Sequence, residues 1–342
     1  MTVADYDIED DSYYLYTCAQ LKARESEFIE KSKLERMAAA DRIDDFLKIL
    51  SETHYSGYIN LISPEKNFDE VIMAFNKELL FFLTDRLKPE DKSEIDLIMY
   101  EENIHNYKVI LKALILKNNL KYLFLPALYS YETLISEIEG QNYQEIDAHT
   151  KTFLDKIVSL RDRGLSLKKM ELELERFYID NLFYLTIKTG SRMLSDFIRH
   201  VIDIINIKNI SRVKYTKASL DFNEFLIGNG FISLELLKKF ETESTDSIVR
   251  ELENSDYSVI VRNGTRSLYA YNTFFSFEKN EYIFYLNYFD AVKYSVANLE
   301  KITGFFIRKK IELKILNMIY LGILYGVEKS KISHKVEIIS EN

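Results

Sequence analysis

The sequence predicts an all-α protein of three similar helical domains around a pseudo-threefold axis. Three observations point there. Only 3 Pro and 10 Gly interrupt 342 residues, which favours long unbroken segments over turn-rich β structure. Apolar side chains recur every three and four residues along most of the chain, the period of a helix with one face on a core. Parts of the chain also repeat at shifts near one hundred residues, a length at which each copy can hold a core of its own.

The helical period opens over residues 35–49, where Met37, Ala40, Ile43, Phe46 and Leu47 alternate with Asp41, Arg42, Asp44, Asp45 and Lys48. It returns over residues 68–87, 95–116, 133–139, 148–160, 167–188, 193–207, 234–240, 284–306 and 306–325. Pro64 and Pro89 each open a charged stretch, as a proline in a first turn does when acidic residues follow near the positive end of the helix dipole. Residues 257–261 and 267–271 are the best strand candidates, yet the helical pattern on both sides lets even these be read as helix. The apolar run at residues 315–327 falls short of the about 20 residues needed to cross a bilayer. A buried core helix is expected there.

The repeats follow one order. Leu80-Phe-Phe-Leu-Thr84 recurs as Leu182-Phe-Tyr-Leu-Thr186, and Ile104-x-Asn106-x-Lys108-x-Ile110-x-Lys112 recurs as Ile204-x-Asn206-x-Lys208-x-Ile210-x-Arg212. A third copy shows when Phe197-Ile198-Arg199-x-x-Ile202-Asp203-Ile204 is laid on Phe306-Ile307-Arg308-x-x-Ile311-Glu312-Leu313. These matches divide the chain into domains at residues 1–122, 123–219 and 220–342.

Composition and motif spacing narrow the function. A net charge of −9 argues against binding nucleic acid or anionic lipid by bulk charge. The acidic N-terminus lacks the features of a secretory signal, and the one cysteine, Cys18, makes no internal disulfide, so a reducing cytoplasmic setting is expected. Cys18 has Lys22 one turn on, but a small buried thiol is the simpler reading. Gly322 and Gly326 carry the wrong spacing for a phosphate loop and read as close helix packing, while Gly228-Asn229-Gly230 reads as a turn. Glu102-x-x-His105 puts a carboxylate and an imidazole on one helical face, but no second such pair exists to complete a di-metal site, and His54, His149, His200 and His334 lie far apart. Glu171, Glu173 and Glu175 alternate with leucines and read as a solvated face. The aromatic clusters lack interleaved Lys and Arg, which favours core or protein interface over nucleic-acid stacking. No catalytic, metal or cofactor residues are expected.

Tyr14-Leu15-Tyr16 with Lys22-Ala23-Arg24, then Phe46-Leu47-x-x-Leu50-Ser51-Glu52-Thr53-x-Tyr55, resemble the opening of the C subunits of the archaeal and bacterial V-type (A-type) ATPases, relatives of the eukaryotic d subunits. The Asn106-x-Lys108 and Asn206-x-Lys208 helices and the closing Phe306-Ile307-Arg308-Lys309-Lys310 extend the likeness over nearly the whole chain. The third copy departs from the pattern, with Asn317 at the repeat-lysine position. The resemblance implies a funnel-like, non-catalytic component of a rotary ion-translocating ATPase. It implies a peripheral place on the cytoplasmic face of the membrane proteolipid ring, holding the foot of a central shaft made of the D and F subunits. The membrane stator is a further candidate partner; neither cofactor nor direct lipid contact is implied. A monomer is expected in isolation, because three unequal domains already close the ring.

Candidate partner contacts are the polar side chains of the repeat helices: Glu102, His105 and Lys108, then Arg199, His200 and Lys208, then Arg308, Lys309 and Glu312. The plain alternative is exposed helix charge of little consequence. Two other functions stay open at this point, a free cytosolic scaffold and an unrecognised helical enzyme with a deep pocket.

Overall fold

The computed structural model describes residues 6–62, 68–140, 143–218, 221–330, 332, 333 and 336. Pro64 and His334 lie outside the described residues. Among the described residues the chain is helical throughout, with short 3-10 turns and no strand. The α-helices are α1 Leu15–Arg24, α2 Lys31–Ala38, α3 Ile43–Leu50, α4 Asp69–Arg86, α5 Glu94–Ile98, α6 Tyr100–Leu116, α7 Tyr131–Gly140 and α8 Ala148–Asp162. After these come α9 Leu167–Lys188, α10 Arg192–Thr216, α11 Leu234–Lys239, α12 Thr245–Glu251, α13 Ser258–Tyr271, α14 Phe275–Phe289 and α15 Leu299–Leu324.

Local chemistry sets many of the ends. Asp147, Ser166, Ser191, Ser233, Ser244 and Asn298 each turn a side-chain oxygen onto a first-turn N–H, supplying acceptors that the helix itself cannot provide for those donors. Pro89 stands first in its 3-10 turn, as its sequence context predicts. Both strand candidates are helical: Ser258 to Tyr271 form α13, whose buried Ile260, Val261, Gly264 and Leu268 follow the helical period. The stretch at residues 35–49 is two helices, because Arg42 is extended and α3 starts afresh with Asp44 and Asp45 in its first turn.

The described chain divides into two compact units, one of Met1–Arg86 with Tyr271–Asn342 and one of Leu87–Ala270. In the first, α1, α2, α3, α4 and α14 pack on α15. That explains why α15 is apolar around most of its girth, with Ile302, Phe306, Leu313, Leu316 and Ile319 all buried. Close approach at Gly304, where an added Cβ would stand 2.9 Å from the Phe289 ring, lets α14 settle against it. Gly322 likewise accommodates Ile332, whereas Gly326, at φ +65, ends the helix. In the second unit, α9 packs on α5, α6, α8 and α10, with the buried Phe153, Tyr178, Phe197 and Ile204 in its core.

Candidate functional site

The repeated Asn-x-Lys pairs fall on α6 and α10, and the two asparagines do the same work. The Asn106 amide nitrogen donates to the Leu125 carbonyl at 3.0 Å and its oxygen accepts the Leu125 N–H at 2.8 Å. Asn206 holds Ile227 in the same two-point fashion at 2.8 and 2.9 Å. Each amide thus stands in for a neighbouring strand and satisfies the backbone of the segment that follows its helix.

Charged residues on these helices are largely spent on fastening. Lys108 reaches Glu175 at 2.5 Å and Lys112 reaches Glu171 at 2.6 Å, while Glu173 takes both Lys156 and Arg163. The three glutamates are therefore partners in ion pairs between elements, a correction to their reading as a solvated face. Period alone shows which face of α9 they occupy and not what stands opposite. His105 sets its Nε2 2.8 Å from the Leu123 carbonyl, Glu102 is buried and Lys208 half-buried. Cys18 is a buried thiol 3.6 Å from the Asn298 carbonyl, and burial pushes its pKa up; Lys22 turns instead to Glu25.

On α10, the candidates Arg199 and His200 belong to a cluster centred on Asp203, which is wholly buried. Its carboxylate accepts the Phe231 N–H at 2.8 Å, the Ile232 N–H at 3.2 Å and the Tyr257 hydroxyl at 2.7 Å. Since that hydroxyl donates its proton to Asp203, its oxygen accepts from His200 Nδ1 at 2.8 Å. The Arg199 guanidinium lies 3.7 Å from the centre of the Phe231 ring. Burial lowers the His200 pKa to about 4, with Arg199 adding to the effect, so the ring is neutral near pH 7. Burial raises Asp203 to about 6 against the opposing pull of its hydrogen bonds.

On α15, Arg308, Lys309 and Glu312 form the matching cluster in the other unit. Glu312 accepts the Ile29 N–H at 2.6 Å and the Tyr55 hydroxyl at 2.8 Å. Lys309, with a fully buried side chain, donates to Glu312 Oε1 at 3.0 Å, His54 Nε2 at 3.2 Å and the Glu27 carbonyl at 3.2 Å. The Arg308 guanidinium sits 5.2 Å from the Phe28 ring centre and the Lys309 ammonium 4.4 Å from it. Burial lowers Lys309, with Glu312 opposing, and takes His54 down to about 3, with Lys309 adding to that.

The helix halves of both clusters are legible as the third repeat match. The halves that dock on them escape sequence reading: Phe28-Ile29 with Tyr55, and Phe231-Ile232 with Tyr257. Their signal is a recurring Phe-Ile pair, each followed at similar distance by a tyrosine. Of the nine candidates, the structure brings Arg199 and His200 together on α10 and Arg308, Lys309 and Glu312 together on α15. His105 and Lys108 are engaged elsewhere, with Leu123 and Glu175.

Among the described residues no helix is long and apolar enough to cross a membrane. Fold and sites together define an all-helical repeat protein whose recurring polar pattern serves helix fastening. The chain belongs to the ATP synthase (C/AC39) subunit family, whose model matches residues 17–335. It is similar to the A-type ATP synthase C subunit of Methanosphaera stadtmanae, 25% identical over 90% of this chain and 83% of that protein. The corresponding A-type ATP synthase protein of Thermoplasma volcanium is 24% identical over 94% and 97% of the two chains, and that of Thermococcus onnurineus 22% identical over 73% and 70%.

Proposed function

We propose that this chain is the non-catalytic C subunit of a rotary ion-translocating ATPase, coupling a central shaft of the D and F subunits to the membrane proteolipid ring. In that role it lies peripherally on the cytoplasmic face and is built of three similar helical domains, which the helix repeats taken alone divide at residues 1–122, 123–219 and 220–342. The observation that carries the reading is the family match over residues 17–335. The physical character of the chain supports it. A part that transmits torque needs stiff helices fastened to one another, and the amide clamps at Asn106 and Asn206 and the ion pairs along α9 supply that.

Partner contact falls first to the candidates with solvent access. Arg308 and His105 are exposed, and Lys108, Arg199 and Lys208 half-buried. Glu102, His200, Lys309 and Glu312 are buried in the chain itself, which leaves them no direct part in partner contact. The test is affinity capture of tagged full-length protein from membranes of the native host, with the captured proteins identified by mass spectrometry. Recovery of D, F and the proteolipid is expected; recovery of none of them would refute the coupling role and favour a free scaffold.

A further inference from the structure

We infer that residues 24–55 are the first instalment of the last repeat, and that the Lys309–Glu312 box is the register lock fastening this N-terminal arm to the C-terminal helix. Dividing the chain by its helix repeats alone puts the arm with α6, in residues 1–122. Side-chain geometry puts it with α15.

The two clusters correspond contact by contact. An arginine lies on a phenylalanine ring, Arg199 on Phe231 and Arg308 on Phe28. The acid one turn further along accepts the N–H of the isoleucine after that phenylalanine, at Ile232 and Ile29. A tyrosine hydroxyl then reaches the same carboxylate, from Tyr257 and from Tyr55. The elements between also agree: two short helices, α11 and α12, separate Phe231 from Tyr257, and α2 and α3 separate Phe28 from Tyr55. For α10 the docking segment comes after the helix in sequence. For α15 it comes from the beginning of the chain.

The lock lies in the contacts that Lys309 adds to this shared plan. Three ammonium hydrogens on Lys309 meet three acceptors, on Glu312, His54 and the Glu27 backbone, inside a wall made by Phe28 and Tyr55. Moving the arm by one residue would strand a buried charge, and a polar group so matched specifies register more than it adds stability.

Hydrogen exchange on the full-length chain, read by mass spectrometry, tests both halves of the inference. In the unmodified protein at rising sub-denaturing guanidinium, amides of residues 28–55 should open together with residues 299–324. Opening with residues 100–116 instead would overturn the reassignment. In Lys309→Met, exchange over residues 28–55 should rise more than tenfold while residues 231–257 keep their rates. In the milder Glu312→Gln, it should rise several-fold over the same segment. Equal acceleration in both segments, or none in either, would overturn the lock. Should Lys309→Met not accumulate as folded protein, Glu312→Gln is judged by the same criterion.

Discussion

The α10 and α15 clusters solve one docking problem with different chemistry. On α10 the acid is Asp203, held by two backbone N–H groups and a tyrosine beside a neutral histidine. On α15 it is Glu312, one methylene longer, held by one backbone N–H, a tyrosine and a lysine. The shorter acid needs the docking backbone closer, which is why Gly230 precedes Phe231: a Cβ there would fall 2.1 Å from Asp203 Oδ1. Glu27 stands at the matching place before Phe28 and carries a side chain without conflict, paired with Arg24. Charge differs as well. Burial raises the Asp203 pKa to about 6 despite its hydrogen bonds, whereas Glu312 has a direct cationic partner at 3.0 Å. One cluster is thus built on a hydrogen-bonded carboxylate whose charge burial disfavours, the other on a buried ion pair.

The comparison can be broken most directly at Gly230. Gly230→Ala should destabilise the protein by about 3–5 kcal/mol, through overpacking and loss of the Asp203 hydrogen bonds. Glu27→Ala at the matching position should cost less than about 1 kcal/mol. Denaturant melts of the two variants check this, and equal costs would show that the two backbones do not approach their acids differently.

Acid sharpens the comparison next: each cluster holds a depressed histidine, His200 at about 4 and His54 at about 3, but the carboxylate raised to about 6 is that of the α10 cluster. His200 is depressed to about 4, so its contribution is present above its unfolded pKa near 6.5 and is lost as pH falls through about 4. A shift of that size corresponds to about 3 kcal/mol. Asp203, raised to about 6, acts in the opposite sense: its contribution is present below its unfolded pKa of about 3.8 and is lost as pH rises through 6. His200→Gln should therefore reduce the loss of stability between pH 6.5 and 4, and Asp203→Asn should steepen it. Unfolding free energies measured across that range, with unchanged slopes in both variants, would contradict the account.

The smallest expected effect comes from the two tyrosines. Tyr257→Phe removes the bond to Asp203 and also the acceptor of His200 Nδ1, and should cost about 2–3 kcal/mol. Tyr55→Phe removes one bond to Glu312, which keeps Lys309 and the Ile29 N–H, and should cost about 1 kcal/mol. Parallel chemical denaturation of the pair measures the gap.

Much of the architecture is legible in the residues. The helical period places α4, α8 and α9 to within a few residues, because each has a continuous apolar face. It fails where one amphipathic pattern runs through a break. Residues 95–116 carry one continuous pattern, yet Met99 leaves helical geometry and divides α5 from α6. The break of residues 35–49 at Arg42 is of the same kind, and neither interruption has a Gly or Pro to announce it. The Asn-x-Lys repeat is visible as spelling, but its purpose, an amide gripping the backbone at Leu125 and Ile227, depends on segments about twenty residues further on.

By itself the sequence determined the helical class, the repeated helices, the scarcity of chain-breakers and the family, because these rest on local period and on the order of residues. Tertiary structure alone decided which acid meets which tyrosine, why Gly230 has no side chain, and that Lys309 is wholly buried. A buried polar group is defined by what surrounds it, and for α15 those surroundings come from the opposite end of the chain.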